Sequence, residues 1–198
     1  MNTHFSQQAL LDWLRPDSGW CTDHALFSTY SADPGVIASL LLSLAGFEDD
    51  PSEPDGCATK VAFAKSVVRL RKRVTIVLQA GRLFVPRGAG RPFALLDRFL
   101  KHISYDERSK AGGSDETSKV GRSWHAKCAA VRYVCETSEI GKWRFWLGSR
   151  NLTRDNSWDL GLSLEGQESG GEAQTGENIP SIADAVGKLA EAADRSDQ

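Results

Sequence analysis

The stretch His125–Asn151, HAKCAAVRYVCETSEIGKWRFWLGSRN, holds two apolar runs around a short polar break. Each run is rich in β-branched, aromatic and small apolar residues, as strands are. The reading is a strand over Trp124–Cys135, a hairpin turn over Ser138–Gly141 and a second strand over Lys142–Leu147. Strand side chains alternate faces. His125 and Lys127 are therefore expected to point one way, with Trp124, Ala126 and Cys128 pointing the other. An antiparallel hairpin brings the end of its second strand beside the start of its first. Gly148 to Asn151 are thus expected next to His125.

The chain continues as WLGSRNLTRDNSWDLGL, Trp146 to Leu162. Gly148-Ser149 closes one strand, and Asn151 and Thr153 follow in a polar turn. Asn156 and Asp159 then lead into a third strand, read over Ser157–Leu164. One sheet edge would collect an imidazole, an ammonium, a hydroxyl, an amide and a carboxylate.

Upstream, helices alternate with strands. Ser6–Leu14 reads as a short helix stopped at Pro16. Ala25–Tyr30 reads as a strand running into Asp33-Pro34-Gly35, where Asp33 can cap and Pro34 can start a helix over Val36–Ala45. That helix is apolar nearly all round, so it should be buried. Residues 48–56, EDDPSEPDG, read as an acidic loop. Lys60–Lys72 reads as a helix, Val74–Leu78 as the clearest strand, and Phe93–His102 as an amphipathic helix. Ser109–Arg122 reads as a mobile Gly- and Ser-rich loop. Gln167–Asn178 reads as a linker and Ile182–Ala193 as a last helix. The pattern predicts an α/β fold, a mixed β-sheet sandwiched by helices.

Composition narrows the classes. Forty per cent of the 198 residues are hydrophobic and a quarter are charged, an ordinary globular balance. The net charge of −2 gives no overall attraction to polyanions, so any polyanion must be held by a local patch. The first residues lack a basic segment followed by an apolar one, and no apolar run reaches the roughly 18 residues of a membrane helix. Cys21, Cys57, Cys128 and Cys135 make no metal-binding pattern. They are expected to be reduced thiols in a cytoplasmic protein.

His125-x-Lys127, then Gly148-Ser149-x-Asn151, then Asn156-x-x-Asp159, resembles one half-site of the phospholipase D superfamily. FSTYSADPGVI, from Phe27 to Ile37, is similar to the start of its bacterial members. The resemblance covers roughly Ala25–Leu164. It implies a phospholipase D-like catalytic half-domain over residues 1–166, with linker and helix over 167–198. It also implies a phosphodiesterase that uses no metal or other cofactor. Two half-sites face each other; one histidine attacks phosphorus and the other protonates the leaving oxygen. His125 would be nucleophile or general acid. Lys127 and Asn151 would bind phosphate oxygens, and Ser149 would bind phosphate or orient its neighbours. Asp159 would stand where the family has a glutamate that orients a histidine. Gly148, Thr153 and Asn156 would line the substrate.

The fuller family motif has an aspartate five residues after the lysine, where this chain has Arg132. The variant without it resembles the tyrosyl-DNA phosphodiesterase branch, and the hairpin is longer than in the compact form. Both points favour a nuclease and nucleic acid as the partner over a lipase at a membrane. Only one half-site is present, since His4, His24 and His102 have no lysine two residues on. A homodimer or a second half-domain of a longer chain would supply the other. A degenerate phosphate- or nucleic-acid-binding or regulatory module is the alternative. Lys65, Arg69, Arg71, Lys72 and Arg73 read as a solvated helix end or as a patch for a phosphate backbone. Trp124, Trp143, Trp146 and Trp158 read as core and rim packing or as base-stacking platforms.

Overall fold

The structure is a computed structural model that describes residues 9–47, 56–85, 91–104, 124–138, 140–154 and 159–168, without the side chains of 56–60 and 91–93. Asn156, Trp158, the acidic loop at 48–55, the 109–122 stretch and the last helix lie outside them.

Asp33 begins the first long helix as its sequence suggests. Its carboxylate accepts from the backbone N–H of Gly35 (2.7 Å) and Val36, and Pro34 sits in the first turn of α2 (Pro34–Leu44). Ile37, Leu40, Leu41 and Leu44 are wholly buried. Each contributes roughly 1.5–3 kcal/mol relative to leaving it in water. The short α1 (Leu10–Trp13) and α3 (Gly56–Leu70) complete the α-helices.

These helices cover a six-stranded sheet. Its strands are β1 (Trp20–Thr29), β2 (Val74–Gln79), β3 (Leu100–Ile103), β4 (Cys128–Cys135), β5 (Gly141–Gly148) and β6 (Gly161–Gln167). The spatial order is β3-β2-β1-β4-β5-β6. β1, β2 and β3 are parallel, and β4, β5 and β6 each run antiparallel to the preceding neighbour. The sheet is therefore mixed, and the fold is α/β.

One face of the sheet, with Phe27, Ile76, Leu78, Val131 and Tyr133, packs against α1, α2, α3 and a 3-10 helix over Arg91–Phe99. The other face has a smaller cluster of Val77, Ile103, Leu26 and Trp124. The described helices thus lie on one face, whereas the sequence suggested helices on both. Trp143, Leu147, Leu162 and Leu164 remain exposed on the second face.

Several boundaries differ from expectation, among them α3, which runs Gly56–Leu70 and not Lys60–Lys72. Phe93–His102 is not one helix: the 3-10 helix ends at Phe99, and Leu100–Ile103 pairs in parallel with Ile76–Gln79. The pairing groups of β2 prevail over local helical spacing there. β1 starts at Trp20, not Ala25, because Trp20–Thr22 pairs with Tyr133–Cys135 before a bulge. β4 starts at Cys128, not Trp124. β6 runs Gly161–Gln167, later than Ser157–Leu164. Glu168 then bonds to the Gly141 carbonyl and to Arg132, so the folded unit continues past residue 166.

Buried charges sit at the end of the sheet that holds the Gly141 end of β5. Lys142 and Arg144 are each 8% exposed at the side chain and pair with Asp17 and Glu165. Arg132 pairs with Asp23 (2.5 Å) and Glu168 (2.9 Å). The position where the family motif has an aspartate is thus filled by an arginine with two carboxylates of its own.

Candidate functional site

Ligands of open α/β sheets bind beyond the carboxyl ends of the parallel strands. Here that end collects Thr29 at the end of β1, Tyr30 just after it and Gln79 at the end of β2. It also collects His125 and Lys127 before β4, Ser149 and Asn151 after β5, and Asp159 before β6.

The segment 124–127 is held by side chains instead of a regular ladder. The Trp124 backbone N–H donates to Gln79 Oε1 (2.7 Å), and its indole Nε1–H donates to Ser28 Oγ (2.9 Å). Ser28 Oγ donates in turn to the Ala126 carbonyl (2.9 Å). Gly148 N–H donates to the Lys127 carbonyl (3.1 Å), where regular pairing takes over. Strand alternation therefore does not govern His125 and Lys127: His125 is exposed and Lys127 is buried. They meet because the lysine folds back. Its Nζ lies 3.0 Å from His125 Nδ1, 3.2 Å from Nε2 and 3.3 Å from the His125 carbonyl oxygen. Being nearly equidistant from both ring nitrogens, it is a neighbour of the whole imidazole edge and makes no directed bond to one lone pair.

Lys127 is 8% exposed, and its polar neighbours among the described residues all belong to His125. No carboxylate is among them. Burial pushes its pKa below the ordinary lysine value. A buried ammonium without an opposite charge is costly, and an anion brought to it relieves that cost. The Tyr30 ring lies 5.0 Å from the His125 ring, tilted by 50°.

The other expected residues gather at the same end with different partners. Ser149 Oγ donates to Asp159 Oδ1 (2.9 Å) and accepts from Leu160 N–H (3.2 Å). Asp159 Oδ2 pairs with Arg150 (2.8 Å). Asp159 therefore orients Ser149 and Arg150, and its carboxylate does not meet the His125 ring. Asn151 Oδ1 lies 3.4 Å from Thr29 Oγ1, whose hydrogen points to the closer Ser31 carbonyl at 2.7 Å. The Asn151 NH₂ has no partner among the described residues. Thr29 Oγ1 also accepts from Leu152 N–H (3.1 Å), which fixes the turn carrying Asn151.

Gly148 is needed for space. A Cβ there would meet the Trp146 ring and come 2.8 Å from the Leu160 carbonyl oxygen. Trp146 is buried in the core, and Trp124 is pinned by its two hydrogen bonds, so both act as packing residues. Thr153 is half-buried in the same turn. The basic run is at the other end of the sheet, where Arg69 donates to the Ala45 carbonyl and Arg73 to the Thr22 carbonyl. The run is therefore not part of the His125 site.

Sequence reading missed Ser28, Thr29, Tyr30 and Gln79. FSTY at the end of β1 was legible as a strand, but nothing in it announced the hydroxyl bonds across to residues 124–126 and 151–152. No group of three metal-ligating side chains occurs among the described residues, and no described helix is long and apolar enough to cross a membrane. Comparison with family models, with curated proteins and with solved structures finds no match.

Proposed function

We propose that this chain carries one half-site of a phosphodiesterase of the phospholipase D kind, acting on nucleic acid, with Lys127 as its anion-binding cation. The observation that supports it is the buried Lys127 ammonium, folded against His125 and without a carboxylate partner among the described residues. The Asn151 NH₂ adds a donor on the adjacent turn. A phosphate diester supplies the negative oxygens that both groups lack among the described residues.

In this reading one imidazole nitrogen attacks phosphorus, forming a P–N bond as the P–O bond to the leaving group breaks. A second imidazole gives its proton to the leaving oxygen. Water then attacks the phosphohistidine, its proton passing to that second imidazole, and the P–N bond breaks to return free histidine. Lys127 holds charge that grows on the phosphoryl oxygens. The second imidazole comes from another copy of this chain or from a second half-domain. His24 is at the far end of the sheet beside Asp23, so it is not that group.

A second reading is a phosphate- or nucleic-acid-binding module without catalysis. Two observations favour it: one half-site per chain, and Asp159 committed to Ser149 and Arg150 instead of a histidine. Cleavage of end-labelled single- and double-stranded DNA in EDTA separates the two. The enzyme reading expects cleavage that falls at least 100-fold in His125→Ala, with a native mass above one chain when this chain acts alone. DNA binding that needs Lys127, without cleavage, supports the module. Neither binding nor cleavage sinks both readings.

A further inference from the structure

Arg82 and Tyr30 sit beside the His125 site, and the chemistry above leaves them unused. After β2 the chain turns through Gly81, whose φ of +74° suits glycine, and Arg82 N–H closes the turn on the Gln79 carbonyl (3.2 Å). The next residues are clamped to the end of β1. Ala32 N–H donates to the Arg82 carbonyl (3.1 Å), and Phe84 N–H donates to the Ala32 carbonyl (2.9 Å). The Arg82 backbone is therefore fixed on the rim of the site. Its guanidinium carbon lies 4.9 Å from the centre of the Tyr30 ring, and that ring lies 5.0 Å from the His125 ring.

The charge balance around Arg82 is the second observation. Arg132, Lys142, Arg144 and Arg150 each have a carboxylate partner. Arg82 is exposed, and among the described residues the partner of its guanidinium is the Tyr30 ring. An aromatic face holds a guanidinium by cation–π attraction while leaving its N–H donors free. Lys127 and Arg82 are thus two cations at the same end of the sheet, neither neutralised by a carboxylate among the described residues.

We infer that Arg82, held over Tyr30, binds the phosphate next to the one at Lys127, so that the site selects a polynucleotide strand over an isolated phosphodiester. This rests on the phosphodiesterase reading above. Consecutive phosphates of one strand are separated by about 3.4 Å of rise in B-form DNA and by more when the strand is extended. The guanidinium carbon and the His125 ring each lie one ring contact from Tyr30, 4.9 and 5.0 Å, so they are separated by no more than those two contacts end to end, a span that two neighbouring phosphates bound on their near sides can bridge. Tyr30 is the positioning residue: it aims Arg82 and need not touch the scissile group.

The experiment compares a 12-nucleotide single strand with bis(p-nitrophenyl) phosphate, in EDTA, using the full chain. For the wild-type protein, kcat/KM is expected to favour the 12-mer. Arg82→Ala lowers that selectivity about tenfold, the size of one charge-assisted hydrogen bond. The salt slope of 12-mer binding, read by fluorescence anisotropy, drops by about 0.7, one phosphate contact on a single strand. Arg82→Lys restores the slope. Tyr30→Phe keeps the selectivity and Tyr30→Leu loses it, a contrast that loss of an unrelated surface arginine would not produce. Lys127→Ala reports on the underlying reading and lowers both substrates alike. If Lys127→Ala is damaging but Arg82→Ala leaves selectivity and slope as they were, the inference is overturned and the reading stands. If Lys127→Ala changes neither binding nor cleavage, both are overturned.

Discussion

Replacing Ser28 with alanine is expected to loosen the segment that carries His125 and Lys127 while leaving β1 and its ladder in place. Ser28 Oγ accepts from the Trp124 indole and donates to the Ala126 carbonyl, both at 2.9 Å. Each bond contributes about 1 kcal/mol net, and more when the abandoned partner stays dry. Trp124 is half-buried and Ala126 exposed, so water can replace the lost hydroxyl in part. The expected destabilisation is therefore about 2 kcal/mol, or roughly 4–8 °C in Tm for a domain of this size. Urea and thermal denaturation, with Ser39→Ala as control, measure it. Ser39 Oγ donates to the Gly35 carbonyl on the exposed face of α2, where its loss should cost little. A second readout follows the site: stabilisation by added inorganic phosphate, which scales as RT ln(1 + [L]/Kd), should shrink in Ser28→Ala. A Ser28→Ala protein within about 0.5 kcal/mol of wild type, with undiminished phosphate stabilisation, would refute the claim that this hydroxyl builds the site.

Asp17→Asn removes a carboxylate from Lys142 and Arg144, which are nearly buried; with Glu165 still present and Asp17 itself half exposed, the expected loss is about 2 kcal/mol by urea denaturation. Acid should destabilise through the same groups. Burial alone would raise the Asp17 and Asp23 carboxyls, but hydrogen bonds from Lys142 and Arg144, and from His24 and Arg132, outweigh it, while Arg132 draws Glu168 down. Each folded pKa is below its unfolded value near 4, so this stability is present above about pH 4 and is lost as pH falls through the folded values. A urea midpoint unchanged from pH 6 to pH 2 would contradict it. Lys127 acts with the opposite charge: its pKa is lowered by burial, so the unfolded state binds more protons in the alkaline range and stability rises with pH there. Lys127→Met should flatten that rise. Among the thiols, hydrogen bonds from Ser138 and then Thr137 bring Cys135 down to about 7, whereas burial pushes Cys128 up. Iodoacetamide should therefore label Cys135 with a pH midpoint near 7 and spare Cys128 until the protein unfolds; equal rates at both would show the environments to be wrongly read.

Local chemistry made much of the framework legible. Asp33-Pro34 marked the start of α2 because capping and a fixed φ are properties of those residues themselves. The β-branched run at Val74 marked β2, and the two apolar runs on either side of the expected Ser138–Gly141 break marked the β4–β5 hairpin that brings Gly148 to Lys127. Partner-dependent features were not legible. Leu100–Ile103 became a strand because Ile76–Gln79 offered it free backbone groups, and β1 extended back to Trp20 because β4 ran alongside it.

The sequence by itself determined that His125, Lys127, Ser149, Asn151 and Asp159 arrive at one end of the sheet, because hairpin register and chain order are short-range matters. Tertiary structure alone decided what each group does there. An ammonium buried without a carboxylate among the described residues, an aspartate turned to Ser149 and Arg150, and an arginine laid over Tyr30 all depend on how the folded chain places its turns and side chains around them. Spacing along a chain does not say which charges a folded-back side chain or a turn will meet.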